Sequence, residues 1–216
     1  HDADTVYVAI NNHKRGDFQP YVVKSTDRGN TWENITSNLP ERGSVYTLKQ
    51  DHEKAELLFC GTEFGCFTTI DGGKKWLKLG SGLPTVAIRD IEIQRDENDL
   101  VLASFGRGFY VLDDYSPMRH IDAELAKKNA VMPIRKGLIY GVSSPLAGGK
   151  RAFQGSNFFT APNPAYGVAI TYHLKDSLKT KKSERTSKDR KLAAAGKDTP
   201  YPSWERFKEE DRETAP

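Results

Sequence analysis

Four side chains of this sequence stand out as able to act on a bound ligand. Glu63 lies in Gly61-Thr62-Glu63-Phe64-Gly65, Arg107 lies in the matching Ser104-Phe105-Gly106-Arg107-Gly108, and Arg89 and Asp90 fall between the two. Two carboxylates flanking a glycosidic bond can share the roles of acid and of base or nucleophile. Glu63 with Asp90 is the candidate pair. The alternative for both is structural: a solvated turn glutamate, and an aspartate paired with its neighbouring arginine. The stretch 11–20 adds His13, Lys14, Arg15 and Asp17.

Other chemistries lack their residues. The 5 histidines show no metal-ligand spacing, so neither a metal nor a cofactor is expected. Ala147-Gly148-Gly149-Lys150 lacks the first Gly and the trailing Ser/Thr of a phosphate-binding loop, and there is no nucleophile elbow. Asp51 with Glu53, and Asp96, Glu97 and Asp99, read as turn formers rather than calcium ligands. The 2 cysteines are too few for a disulfide scaffold or a cysteine-based zinc site. Cys60 and Cys66 flank a short turn, where they either face each other across a hairpin or serve as two small strand residues.

The elements that must position these residues are set by a repeat. Ser25-Thr26-Asp27-Arg28-Gly29-Asn30-Thr31-Trp32 returns 44 residues later as Thr69-Ile70-Asp71-Gly72-Gly73-Lys74-Lys75-Trp76. Asn38-Leu39-Pro40 returns as Gly82-Leu83-Pro84 at the same displacement, and the segment 57–67 returns at 100–110, displaced by 43. Three units follow, at about 5–40, 41–84 and 85–122; the third lacks the Asp/Gly/Trp turn. In the second unit Ser44–Gln50 alternates and Leu57–Gly61 is a short apolar run; Cys66–Thr69 and Trp76–Leu79 follow. Four short antiparallel strands in such a period match a β-propeller blade. In the turn, Asp27 or Asp71 can bond nearby backbone N–H groups, and Gly29 or Gly73 can take a positive φ. Ser25 or Thr69 adds a hydroxyl, and Trp32 or Trp76 starts the next strand. These eight residues read as structural staples.

The pattern S/T-x-D-x-G-x-x-W resembles the Asp-box, or BNR, repeat of sialidases and sortilin-type (VPS10-like) receptor domains. The segments 61–65 and 104–114 resemble the closing part of large bacterial BNR-repeat "glycosyl hydrolase" proteins. Residues 158–167, 172–176 and 200–204 are similar to the segment that follows the propeller in them. The resemblance implies a secreted, periplasmic or cell-surface protein and a glycan or peptide ligand. It also implies a ring completed by the rest of a parent propeller and a site on the face opposite the Asp boxes. Sialidase-like chemistry there would need an arginine cluster, a Tyr/Glu pair and an acid, and three blades supply at most half such a set. The expected role is a binding or scaffold module; the alternatives are part of a glycoside hydrolase and a sortilin-like peptide-binding propeller.

Composition agrees with a folded, mainly β chain. The 216 residues are 37% hydrophobic and 28% charged, with 10 Phe, 9 Tyr and 3 Trp, too aromatic for wholesale disorder. No apolar run approaches the roughly 20 residues of a membrane span. Residues 175–216 hold 12 Lys/Arg and 9 Asp/Glu; subtracting from 32 and 29 leaves 20 of each in residues 1–174. A neutral body and a tail of mixed sign give no footprint for nucleic acid. No signal peptide opens the chain, so either the protein is cytosolic or its true start lies upstream.

Beyond the blades, Ala123–Lys128 is a short helical possibility, Val131–Val142 is strand-like, and 143–166 reads as linker within a packing segment 123–166. Residues 167–216 read as one strand at Val168–Leu174 and a charged helical segment, with a helix ending near Gly196 and a second helix at Trp204–Arg212; the resemblance implies that this is the start of an Ig-like β-sandwich with a charged helical insertion. An open ring exposes edges and apolar faces, so self-association of the isolated chain is expected.

Overall fold

The computed structural model describes residues 1–137, 139, 141 and 167–213. The glycine-rich stretch 147–150, the linker 143–166, the segment 158–166 and the end of the 131–142 run lie outside the described residues. The chain is mainly β: three antiparallel sheets of propeller type and a fourth of two strands, with no closed ring among the described residues.

The first sheet holds β1 (Val6–Ile10), β2 (Tyr21–Ser25) and β3 (Glu33–Asn34), in that order. The second is β4 (Val45–Gln50), β5 (Leu58–Thr62), β6 (Gly65–Thr69) and β7 (Leu77–Lys78). The third holds β8 (Ile88–Gln94), β9 (Asp99–Ser104) and β10 (Phe109–Leu112). Four strands were expected in every unit, and only the middle sheet has them. The first begins at the counterpart of β5. The third stops after β10, because Asp114 (φ 44) turns the chain into a 3-10 helix at Ser116–His120 and Tyr115 drops into the core, 1% exposed.

The turn after β6 repeats the main hydrogen bonds of the turn after β2. Ser25 Oγ donates to Asp27 Oδ1 (2.7 Å) and accepts from Gly29 N (2.8 Å), while Thr31 N donates to Asp27 Oδ1 (2.8 Å). Thr69 Oγ donates to Asp71 Oδ1 (2.7 Å) and accepts from Gly73 N (3.0 Å), while Lys75 N donates to Asp71 Oδ1 (3.0 Å). Hydrogen bonds from the Thr31 side chain and backbone and from Ser25 hold the Asp27 carboxyl down at about 2.

The core lies between sheets rather than within them. Val22, Ile35 and Leu39 of the first sheet meet Val45, Leu58, Cys60, Phe67 and Trp76 of the second. Leu57, Phe59 and Cys66 on the other face meet Ile88, Ile91, Ile93, Leu100 and Leu102 of the third. Cys60 and Cys66 therefore enter different cores, and both are free thiols. Trp76 closes the first junction: its indole N–H donates to Ile35 O (2.9 Å), and its backbone N and O pair with the Asn38 carboxamide at 2.7 and 2.9 Å. The sheets approach so closely that a side chain is excluded at two glycines. A Cβ on Gly73 (φ 99) would stand 2.8 Å from Ile35 Cβ, and one on Gly61 would stand 2.8 Å from Ile88 O.

The second half keeps the two expected helices and shortens the expected strands. Among the described residues of the two strand-like stretches, β11 (Ala130–Val131) and β12 (Tyr172–His173) pair, with Ala130 opposite His173. Val168, Ile170 and Tyr172 are each more than half exposed, and with no second layer against that stripe among the described residues the ladder stays short. Residues 123–128 contain a 3-10 turn at Leu125–Lys127. Two helices end the chain, α1 (Lys181–Ala194) and α2 (Trp204–Arg212). Thr180 and Ser203 cap them by accepting from Ser183 N and Arg206 N. Gly196 N reaches Ala193 O and Lys197 N reaches Leu192 O, ending α1 in a Schellman motif. Arg185 ties the helices together through a forked contact with Glu210, at 2.8 and 2.9 Å.

Two outcomes follow. Trp76→Ala should cost about 3–5 kcal/mol in urea unfolding, whereas Trp32→Ala, at a position 47% exposed, should cost about 1 kcal/mol; equal costs would contradict the inter-sheet role. Burial pushes the Cys66 thiol up to about 12 and the Cys60 thiol higher still. Neither should therefore react with a disulfide reagent at pH near 8 until the chain is unfolded.

Candidate functional site

Because strands alternate in direction, the connections divide between two faces. The β4–β5 loop and the aspartate turns share one face. The β1–β2 insertion, the Glu63-Phe64 turn and the Phe105–Gly108 turn share the other.

The loop face carries a cleft of about 1200 Å³ between the first and second sheets, lined by Asp17, Phe18, Tyr21, Glu41, Arg42, Glu63 and Phe64 among others. Its walls come from the insertion and the hairpin turn. Thr62 Oγ accepts from Phe64 N (3.2 Å) and donates to Gly65 O (3.0 Å), and Glu63 N donates to Ser44 O (3.1 Å), which pins the Glu63-Phe64 pair. Phe18 and Phe64 remain 49% and 42% exposed. The Asp17 carboxylate is fully engaged: it accepts from Tyr21 OH (2.8 Å), Asn12 Nδ2 (3.1 Å) and Gln19 N (3.1 Å). Those bonds hold it below the usual carboxylate range and push the Tyr21 hydroxyl up. Glu41, Arg42 and Glu63 have no side-chain hydrogen bond among the described residues.

The other candidates sit at the junction of the second and third sheets. Arg89 lies over the Tyr46 ring at 3.9 Å and within 5.1 Å of Phe105, a cation–π stack. β4 and β8 carry the same irregularity: the register shifts between Val45 and Thr47, and again between Ile88 and Asp90. Tyr46 and Arg89 are thus the bulged residues, and a bulge re-aims its side chain. Asp90 Oδ1 accepts from Ile91 N (2.9 Å) and, at the limit of contact, from Thr47 Oγ (3.5 Å). It makes no ion pair with Arg89 among the described residues, because the guanidinium is held by the two rings. Glu63 therefore belongs to the cleft with Asp17, and Asp90 to the inner strands. Arg107 is exposed in its turn, and His13, Lys14 and Arg15 form an exposed 3-10 turn beside the cleft.

Two groups were not visible in advance. Phe18, Glu41, Arg42 and Phe64 come together only through the insertion. On the opposite face Asp51, 1% exposed, accepts from Arg119 Nε (2.9 Å) and Nη2 (2.8 Å), Tyr115 OH (2.5 Å), Lys54 N (2.7 Å) and Glu53 N (3.1 Å). Arg119 also reaches Glu53 (2.7 Å) and Asn98 (2.7 Å). Asp51 does form its turn, but it also anchors the third sheet to the second. The signal was positional: Arg119 stands 43 residues after Trp76.

No family model and no curated protein sequence matches the chain. Among solved structures it is similar to the GH74 xyloglucanase from Xanthomonas campestris at 19% identity over 55% of this chain and 21% of that one, with a TM-score of 0.41. It is similar to a GH74 enzyme from Niastella koreensis at 19% identity over 52% of this chain and 20% of that one, TM-score 0.43. A third is YCF48 bound to D1 peptide, at 20% identity over 44% and 31%, TM-score 0.34. The chain spans about a fifth of the length of the two GH74 proteins. The repeated antiparallel sheets define a fold of β-propeller type. No helix among the described residues is long and apolar enough to cross a membrane.

Burial alone would raise the Asp51 carboxyl, but the bonds from Arg119, Tyr115 and two backbone amides outweigh it and bring it from 3.8 to about 2. A depressed carboxyl stabilises the fold above its unfolded value and loses that stability as pH falls. About 2 kcal/mol should therefore disappear between pH near 5 and pH near 2. Urea midpoints across that range should fall less steeply in Asp51→Asn, which should itself lose about 3–5 kcal/mol at neutral pH. An unchanged acid slope would contradict the assignment.

Proposed function

We propose that the chain is a blade-repeat binding module of BNR/Asp-box type, part of a secreted, periplasmic or cell-surface protein, whose loop face takes a neutral glycan in the Phe18/Phe64 cleft. The proposed division is three units at 5–40, 41–84 and 85–122, a packing segment 123–166, and a further region from 167. The repeated Ser/Thr–Asp–Gly network supports the repeat type. The observation that carries the ligand is the pairing of two exposed aromatic rings with unengaged polar groups, Glu41, Glu63 and Arg42, in one cleft. Rings offer a flat apolar surface to the C–H face of a sugar, and carboxylates accept from its hydroxyls.

The charge of the cleft selects among sugars. Asp17, Glu41 and Glu63 stand against Arg42 alone, which disfavours a sialylated or uronate ligand; the arginine cluster of sialidase-like chemistry is missing from it. Arg89 is occupied by Tyr46 and Phe105. A glycoside hydrolase remains the alternative, with Glu63 as one carboxylate and further site residues from outside this chain. A peptide in the propeller tunnel is the second alternative. Nucleic acid is disfavoured by the balanced charge of residues 1–174.

Calorimetry against neutral, sialylated and uronate-bearing oligosaccharides tests this reading. Neutral oligosaccharides should bind, and Phe18→Ala and Phe64→Ala should each weaken them about tenfold, roughly 1.4 kcal/mol, with thermal unfolding unchanged. Preference for the acidic sugars, or no binding to any, overturns the reading. Hydrolysis abolished by Glu63→Gln would favour the enzyme.

A further inference from the structure

Gly43 lies beneath the Phe18/Phe64 cleft rather than on its surface. It is buried, and it follows Glu41 and Arg42, which do line the cleft. It touches the supports of both aromatic rings. Its N–H donates to Phe18 O (2.9 Å), which ties the insertion to the chain entering β4. Its Cα is a bed for the other ring: a Cβ at this position would stand 2.9 Å from Phe64 Cδ2 and 3.3 Å from Cε2. The next residue completes the bridge, because Ser44 O accepts from Glu63 N (3.1 Å) of the hairpin turn. Residues 43 and 44 thus hold the insertion on one side and the hairpin turn on the other.

Two demands make this position a glycine. Its φ of 125 lies where L side chains are strained, and the Phe64 ring fills the space that a side chain would need. The backbone of Phe64 is pinned, since its N–H donates to Thr62 Oγ (3.2 Å). A methyl group at position 43 would therefore displace the ring, which can turn about its side-chain torsions, rather than the hairpin. The repeat supplies a comparison within the chain. At a displacement of 43 the counterparts of Gly43 and Phe64 are Val86 and Arg107. Where the repeat has a side chain at the first position it has no ring at the second, and Arg107 stands exposed. Bed and ring go together.

We infer that Gly43 is the positioning residue of the cleft. It sets the Phe64 ring by having no side chain, and it sets the Phe18 backbone through its N–H. Both rings are then placed before a ligand arrives, and the ligand does not bear the cost of ordering them. The role in binding rests on the reading of this cleft as a neutral-glycan site. The placement of the ring does not, so the two can fail separately.

A double-mutant cycle on the full chain tests it, with maltohexaose, cellohexaose and mannohexaose as neutral probes in calorimetry. Gly43→Ala should weaken the probe that binds about tenfold, as Phe64→Ala does. Added to Phe64→Ala, it should weaken binding no further, because the ring it acts through is gone. Gly73→Ala controls for strain. That glycine also has a positive φ, 99, and lies on the aspartate-turn face, where a Cβ would meet Ile35. It should lower the unfolding temperature and leave affinity unchanged. With fluorinated phenylalanine and no probe present, Gly43→Ala should shift the Phe64 resonance and leave those of the buried Phe59 and Phe67 in place. An unmoved Phe64 resonance, an unchanged affinity, or a further tenfold loss in the double variant overturns the inference while the glycan reading stands. Wild-type protein that binds no probe removes the glycan reading alone, and the resonance then decides the placement. If Gly43→Ala does not fold by itself, the comparison of Phe64→Ala with the double variant, which has no ring to displace, decides.

Discussion

Among the described residues, the faces of the three larger sheets are buried chiefly by the neighbouring sheet, and much else in the structure answers to that constraint. A strand of 2 residues such as β3 or β7 cannot hold a core of its own. Both hydrophobic clusters accordingly lie at junctions, and each sheet is stabilised by its neighbours in the manner of a one-dimensional stack. Trp76 is the clearest case: its ring is buried by residues of the preceding sheet, and its indole and backbone groups find their partners there. The same residue type in the same local turn, Trp32, stays half in solvent because it has no such neighbour among the described residues. At the other end of the stack Phe109 and Val111 are more than half exposed on β10, for the same reason. Local sequence makes the turn; only the neighbour makes the core.

The constraint also divides the carboxylates between the two faces. On the aspartate-turn face Asp27, Asp71 and Asp51 are each held below their ordinary range by donors from backbone, hydroxyl or guanidinium, so their charges are committed to the fold. On the loop face Glu41 and Glu63 make no side-chain bonds among the described residues. Asp17 is the exception that builds the wall, since its bonds to Asn12, Gln19 and Tyr21 shape the insertion. A surface free of structural duty is where binding groups can vary without unfolding the scaffold.

Much of the fold was legible in the sequence because the repeat places chemically similar residues at a fixed step. The turn with Ser or Thr, Asp, Gly and Trp could be read with its bonds, since every partner lies within 4 residues in sequence. What could not be read depends on distance along the chain. Asp51 meets Tyr115 and Arg119 over 64 and 68 residues. Arg89 was paired on paper with adjacent Asp90, and a bulge turns it instead onto Tyr46. Glu63 and Asp90 looked like partners because both lie near the loop face, yet one belongs to a hairpin turn and the other to an inner strand. The alternation at Val168–Leu174 signals strand, but alternation predicts a half-buried strand only where a second layer exists to bury it.

The two junctions show that one geometric demand admits two chemical answers. At the first, Trp76 and Asn38 close the gap with an aromatic ring and a paired carboxamide. At the second, the unit has no Gly-x-x-Trp turn, and Tyr115, Asp51 and Arg119 close it with a buried ion pair under an aromatic ring, Tyr115 standing edge-on to Phe59 at 5.1 Å. Dispersion and burial hold the first together without regard to pH. The second takes a charge out of water, a cost offset only because Asp51 receives five donors and Arg119 spreads its own over Asp51, Glu53 and Asn98. Such a network is directional where an indole is tolerant, and it fixes where the chain leaves β10. The third sheet can therefore do without the strand that would carry a tryptophan, because the segment that replaces it is pinned by charge to the loop of the sheet before.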